Sequence, residues 1–336
     1  MVSEREHAHD VDALVAAGRV LEAIEVLNRF NREHRDSATE ARLVELRRDA
    51  PIPAPANKAR RPWPPKVRDR FRHIAGIPEV TREQLTPKVL RSGILRHGCL
   101  LVRGFMDQPR VEQLVADIDH AFTAYDAHVA GAPTADAAPW FVPFEPGEGL
   151  SVPREWIRDG DGVLAVDSPR TLFDVIEAFD EVGVRELVTA FLGEPPLMLA
   201  SKWTLRRVAP KGSPDWHQDG AFMGADIRSL DIWLSLSHCG VDAPGLDVVG
   251  RRLDGIAEVG TNGAIFDWSV GEGTIAQLAP GGVDRPVFEP GDALLFDHLL
   301  LHRTGIHPAM TRDRYAIEAW FAAPSAYPPT GLPIAY

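Results

Sequence analysis

Apolar side chains between residues 10 and 49 recur every three or four positions, at Val11, Leu14 and Val15, then Leu21, Ile24 and Leu27, then Leu43 and Leu46. This is the period of a helix with one greasy face. With breaks at Gly18 and near Ser37, residues 1–50 are expected to form a small helical hairpin. One hairpin cannot bury its own apolar stripe, so it packs on the rest of the chain or on a protein partner. Six prolines then fall between residues 51 and 65. Proline lacks a backbone N–H and fixes φ, so residues 51–66 read as an extended linker.

After Thr86 the pattern changes. A helix is expected over 87–96, a strand over 99–103, and a second helix through Val111, Leu114, Ile118, Ala121 and Phe122. Residues 131–170 are dense in proline, glycine and aspartate around Trp140, Phe141, Phe144 and Trp156, as in long ordered loops that wrap a core or roof a site. Beyond a helix at 184–192 the chain breaks into short runs bounded by glycine or proline, at 197–208, 227–237, 246–249, 273–278, 293–296 and 314–321. Their spacing predicts a mainly β unit with flanking helices, a sandwich or barrel within residues 67–336.

Successive side chains of a strand point to opposite faces, which makes two of these runs informative. Leu230, Ile232, Leu234 and Leu236 share one face of 227–237, and Ser229, Asp231, Trp233 and Ser235 share the other. Lys202, Thr204 and Arg206 likewise fall together, as do Arg314, Glu318 and Trp320. Such polar faces meet solvent or line a polar lumen.

Composition narrows the function classes. Hydrophobic residues make up 45% of the chain and charged residues 25%, as in a globular protein, and a formal charge of −12 disfavours broad attraction to nucleic acid or anionic membrane. Cys99 and Cys239 offer neither a disulfide framework nor a CxxC zinc spacing. The apolar runs are far shorter than a membrane span, and the N-terminus mixes charges where a secretory signal needs an apolar stretch. A cytoplasmic protein acting on a small molecule is the expectation.

Trp216-His217-Gln218-Asp219-Gly220 carries an imidazole and a carboxylate two residues apart, which on an extended segment point to one side and can grip one metal ion. The spacing also arises by chance, and His34 with Asp36 repeats it at an expected helix end. What distinguishes the first copy is its company. The Pro290-Gly291-Asp292 turn and the apolar run 293–296 lead to His302, a third ligand, and Arg314 follows. Two imidazoles and one carboxylate leave positions open on Fe(II) for a 2-oxo acid and O2. The far carboxylate of 2-oxoglutarate would match a guanidinium fork, which Arg314 could supply. Lys202 and Arg206 are either edge charges in water or, facing a lumen, a match for an anionic substrate. Phe222 is a pocket wall or a packing residue, and His298 is a candidate substrate contact close to the metal strand.

In their order these motifs, with Gly245-Leu246-Asp247-Val248-Val249 and Arg314-Tyr315-Ala316-Ile317, resemble the phytanoyl-CoA dioxygenase-like family of Fe(II)/2-oxoglutarate oxygenases. The resemblance spans roughly residues 85–322 and implies a double-stranded β-helix core of the jelly-roll, cupin-like kind. It also implies iron ligation by His217, Asp219 and His302, and Arg314 holding the cosubstrate's far carboxylate with help from Thr304. Trp233 would line the cosubstrate pocket and Thr204 would lie beside it. Hydroxylation of a small molecule, with release of succinate and CO2, is the implied reaction; desaturation, epimerisation and cyclisation use the same ligands. Related halogenases replace the carboxylate ligand with a small residue, whereas Asp219 is intact. Val249-Gly250-Arg251-Arg252 departs from the family's Pro-Gly-Ser-His, which leaves the metal site untouched but withholds the substrate. Two rivals remain. A zinc hydrolase would leave Arg314 without a task, and a metal-free regulatory barrel with a partner-binding hairpin would have no use for an intact ligand set.

Overall fold

The computed structural model describes residues 4–54, 62–212 and 215–336. Its N-terminal part holds three helices, α1 (Glu4–Ala16), α2 (Val20–His34) and α3 (Ser37–Asp49), instead of the two of a hairpin. The extra boundary has a local cause: the Asp36 carboxylate accepts from Thr39 N at 2.7 Å and caps α3. That also accounts for the chance His34/Asp36 pair. Of the proline-rich linker, residues 55–61 lie outside the described residues. Beyond them Trp63 packs edge-on against Phe191, ring centroids 5.6 Å apart.

The remainder alternates helices and strands before turning mostly to strands. First come β1 (Glu79–Thr81), α4 (Pro87–His97), β2 (Cys99–Arg103), α5 (Gln108–Val129) and α6 (Thr134–Ala137). Then follow α7 (Arg154–Asp159), β3 (Gly162–Leu164), α8 (Pro169–Glu181), α9 (Val184–Leu192) and the long β4 (Leu197–Val208). The last part holds α10 (Gly220–Met223), β5 (Ser229–Ser235), β6 (Gly245–Val248), α11 (Glu272–Leu278), β7 (Ala293–Phe296), β8 (His302–Gly305), β9 (Arg314–Ala322) and β10 (Pro333–Ala335). Two sequence expectations fail here. Residues 273–278 form a helix, since an apolar run of that length suits either structure. The segment 131–170 is not all loop but carries α6, α7 and β3 and runs into α8.

A large sheet runs in the order β1-β2-β7-β5-β9-β4-β10, with β3 added beside β4. Strands β2, β7, β5, β9 and β4 pair antiparallel in sequence across it. A second, two-stranded sheet pairs β6 with β8, and bridges at His217–His302, Trp216–Val270 and Val248–Asp284 widen it. The large sheet is covered on both faces. On one, Leu230, Ile232, Leu234, Leu205, Ile317 and Phe321 share a core with α4, α5, α8 and α9. On the other, Trp233, Phe296 and Trp320 share a core with Leu246 and Val248 of the small sheet. The result is a jelly-roll-type arrangement of two facing sheets with a helical layer behind the larger one. The polar faces read from the sequence therefore look into the space between the sheets, not into solvent.

The N-terminal helices close over the far side of the helical layer, where Leu27, Leu43 and Leu46 pack with Phe173 of α8 and Ala335 of β10. Among the described residues, no helix is long and apolar enough to cross a membrane.

Candidate metal centre and cavity

Between the two sheets lies a cavity of about 890 Å³. The wall that carries the candidate metal ligands is built by strand pairing. His217 and His302 sit directly opposite each other and exchange both backbone hydrogen bonds, His217 N to His302 O at 2.9 Å and His302 N to His217 O at 3.0 Å. Opposed residues of antiparallel strands point their side chains the same way, and Asp219, two residues on, joins that side. The ring centroids of the histidines are 4.4 Å apart, and His302 Nε2 lies 3.7 Å from Asp219 Oδ2. One ligand atom from each of the three residues falls within 4.8 Å of the others.

The tautomers are set by the backbone. His217 Nδ1 donates to Asp215 O at 3.0 Å and His302 Nδ1 donates to Leu300 O at 3.1 Å, which leaves each Nε2 with a free lone pair. Metal-ligating histidines are oriented by such bonds at their other nitrogen. Burial, and next the neighbouring His217, push the His302 imidazole down to about 4, so near neutral pH it is the uncharged form that metals bind.

Gln218, between two of these residues, was missed by sequence reasoning. It points the opposite way, fully buried, and its Nε2 donates to Leu299 O at 2.7 Å and Gly255 O at 3.1 Å while its Oε1 accepts from Ala257 N at 2.6 Å. The Gln218 side chain thus fixes the strand carrying His217 and Asp219 to the segment leading to His302. The Pro290-Gly291-Asp292 turn is equally determined: Gly291 has φ +92°, and a Cβ there would meet Met106 O at 2.3 Å. Asp292 then ties the turn down by accepting from Gly104 N at 2.9 Å and Glu289 N at 2.9 Å.

Arg314 lies in the cavity wall at 1% exposure. Its Nη1 donates to Gly245 O at 3.0 Å, Nε has no partner among the described residues, and its guanidinium carbon is 5.2 Å from the centre of the Trp233 ring. Among the described residues no carboxylate pairs with it. Trp233 Nε1 is a second buried donor without a partner, and Thr304 lines the same cavity. An unpaired buried cation and an orphaned N–H side by side make a site for an anion.

Arg206, by contrast, is matched within the cavity. Arg206 Nη2 donates to Glu318 Oε2 at 2.9 Å and Arg206 Nε to Thr204 Oγ1 at 3.1 Å, while Thr204 Oγ1 donates to the same Glu318 oxygen at 2.6 Å. Burial alone would raise Glu318, but Arg206 and the Thr204 bond outweigh it and hold the carboxyl down at about 2. Thr204 and Arg206 therefore line the cavity as an internally satisfied cluster, not as free contacts for a cosubstrate or an anionic substrate. Asp231 is fully buried beside them; burial, with Glu318 and Asp219 nearby, pushes its carboxyl well up, towards the neutral acid. Lys202 Nζ lies 3.8 Å from Asp219 Oδ1 and 4.0 Å from the centre of the Phe222 ring, and both residues line the cavity. His298 does not. Its ring nitrogens are bonded to Ser229 Oγ and Ala225 O, each at 3.0 Å, and it holds the turn around α10 from behind.

No protein-family model matches the chain, and no curated protein does. Among solved structures, EctD from S. alaskensis with 2-oxoglutarate and 5-hydroxyectoine is similar over 68% of this chain and 73% of its own, at 15% identity and a TM-score of 0.46. AviO1 from Streptomyces viridochromogenes Tue57 is similar over 73% of this chain and 98% of its own, at 19% identity and a TM-score of 0.47. The 2-oxoglutarate-dependent carbocyclase SnoK from nogalamycin biosynthesis is similar over 73% and 87%, at 13% identity and a TM-score of 0.47. At these values the likeness assigns no activity to this chain.

Proposed function

We propose that this protein is an Fe(II)- and 2-oxoglutarate-dependent oxygenase of the phytanoyl-CoA dioxygenase-like kind, acting on a small molecule. The observation that carries the reading is the pairing of two features in one cavity: a convergent His217, Asp219 and His302 set, and a buried Arg314 with which no carboxylate among the described residues pairs. The ligand set without the arginine would suit many metal sites, and the arginine without the ligand set would suit many anions. Together they match a divalent ion and a dicarboxylic cosubstrate whose far end needs a guanidinium.

The residues fit that pair of groups. The two Nε2 atoms and the Asp219 carboxylate would hold iron, and the Nδ1 bonds to Asp215 O and Leu300 O keep both imidazoles aimed inward. Arg314 would take the distal carboxylate by its Nε and free Nη edge, with Trp233 Nε1 and the Thr304 hydroxyl as further donors. With iron, 2-oxoglutarate and O2 bound, such a centre couples decarboxylation of the cosubstrate to succinate with oxidation of a substrate C–H bond. The Arg206–Glu318–Thr204 cluster keeps the adjacent wall polar yet neutral, so it does not compete with Arg314 for the cosubstrate. Hydroxylation is the outcome we propose. Desaturation, epimerisation and cyclisation share the ligand set, and product analysis separates them. The N-terminal helices, in this reading, brace α8 and β10 and leave partner binding secondary. Two free, buried cysteines accord with a reducing cytoplasm.

The test is succinate release and oxygen uptake by iron-loaded protein given 2-oxoglutarate. Iron-dependent turnover that vanishes in Asp219→Ala and His302→Ala supports the reading. Turnover that persists in either variant, or that needs no iron, contradicts it.

A further inference from the structure

We propose that the cavity mouth is a substrate subsite for a flat, unsaturated ring bearing an oxygen acceptor. For the fate of that ring the inference rests on the oxygenase reading; for its binding it does not. Rings from three separate segments meet there: Phe222 of α10, Phe266 and Trp268 of the loop before α11, and Trp156 of α7. Trp268 stacks on Phe266 at 5.0 Å with planes 7° apart, stands edge-on to Phe222 at 5.8 Å, and meets Trp156 at 6.4 Å. Trp156 is 59% exposed, Phe266 43% and Phe222 39%. A contiguous apolar surface left in water at the rim of a cavity is the mark of a binding groove.

Position ties this shelf to the candidate metal centre. The His217 ring lies 5.9 Å from Trp268 and 6.2 Å from Phe222, so whatever rests on the shelf lies next to a ligand histidine. Arg314, Trp233 and Thr304 supply the anion site, which leaves the shelf for a second molecule. A volume of about 890 Å³ is at the upper end for drug-sized ligands, well beyond what the cosubstrate alone would occupy. The chemistry of the walls narrows the class further. A parallel pair and a perpendicular ring present both π faces and edges, contacts that another unsaturated ring satisfies and a saturated one does not. Lys202 stands over Phe222 with Asp219 as its carboxylate neighbour. An ion on Asp219 would compete for that carboxylate, and the ammonium would then meet an oxygen acceptor on the ring.

The experiment titrates the full-length protein with 2-naphthoate and with decahydro-2-naphthoate, with and without Mn(II) and 2-oxoglutarate, by calorimetry and tryptophan fluorescence. The aromatic acid should bind about tenfold more tightly than its saturated twin, and Trp268→Ala should erase that preference. Lys202→Met should weaken 2-naphthoate about tenfold and leave 2-methylnaphthalene unchanged. Retained Mn(II) and 2-oxoglutarate binding in Trp268→Ala would tie the loss to the shelf. Equal binding of the two acids to the wild type, or a ring preference surviving both Trp268→Ala and Trp156→Ala, would overturn the proposal. Ring preference without any Mn(II) or 2-oxoglutarate binding would remove the oxygenase reading and keep the shelf.

Discussion

Two of the places where this protein buries charge are built differently. Where α2 and α3 meet α8, Arg35 grips both oxygens of Asp174, at 2.8 and 2.6 Å, and Arg170 Nε reaches both oxygens of Glu40, at 3.0 and 2.9 Å. Asn31 Nδ2 adds a further donor to Glu40 at 3.2 Å. There the Asp174 and Glu40 carboxylates are buried while Arg35 and Arg170 reach solvent; in the cavity it is the cation, Arg314, that is buried, with one carbonyl as its hydrogen-bond partner among the described residues. A buried ion pair that is fully bonded serves to hold elements in register, whereas a lone buried cation is tolerated only where something else completes it. On the proposed reading, the contrast separates structural charge from charge reserved for a ligand.

The largest expected effects break that contrast from the cavity side. Arg314→Met should weaken 2-oxoglutarate binding about a thousandfold, the loss of two charge-assisted hydrogen bonds at about 2 kcal/mol each. The same substitution should leave ligand-free stability unchanged or raised, because it removes an uncompensated buried charge. Calorimetry and urea denaturation on one sample read both. Next, Glu40→Ala should cost about 3 kcal/mol in urea denaturation, since it strands Arg170 and Asn31, while cosubstrate affinity stays as it was. Equal stability losses for the two variants would erase the distinction.

Gln218→Ala, behind the cavity wall, is expected to weaken metal binding by about ten- to a hundredfold, as loss of a supporting contact does at other metal sites. Restoration by Gln218→Glu is not expected, because a carboxylate cannot donate to Leu299 O and Gly255 O.

The smallest effect is pH-dependent. Asp117, in the helical cluster, is pushed up to about 7 from 3.8 by burial and then by Asp174, and its Oδ2 has no partner among the described residues. Its folded state holds the proton more tightly than the unfolded chain does. Wild-type stability should therefore fall as pH rises from about 4 to about 7. Asp117→Asn should remove that slope and be more stable at pH 8 by about 1–2 kcal/mol after allowing for solvent screening. Parallel melting curves from pH 4 to 8 would contradict the assignment.

Much of the inner site was legible because strands write their geometry into sequence at period two. The segments 99–103, 197–208 and 293–296 stand where the pattern puts them, and the alternation in β5 and β9 separated helix-facing residues from cavity-facing ones. His217, Asp219 and His302 could be grouped through spacing and a turn signal. Arg206 and Thr204 were legible as to face but not as to partner, since Glu318 meets them only through the pairing of β4 with β9. His298 misled because closeness in sequence to His302 does not fix the side on which a ring emerges. The helix α8 has apolar residues at Leu172, Val175, Ile176 and Phe179, a helical spacing that went unread directly after the loop-like stretch 131–170. The aromatic shelf was legible only in part: Phe222 was a candidate pocket wall and Trp156 stood in a stretch read as wrapping a core or roofing a site, while Phe266 and Trp268 carried no signal. Trp156, Phe222 and Trp268 lie on segments joined only by tertiary packing, and Gln218 had none beyond its position between two ligands.

The most direct measurement is an anaerobic calorimetric titration of Fe(II) into the wild-type protein and Asp219→Ala, each with and without 2-oxoglutarate. One ion per chain is expected for the wild type, with its loss in the variant and cosubstrate binding that depends on the ion. Iron binding that is absent, or indifferent to Asp219, would contradict the proposed centre.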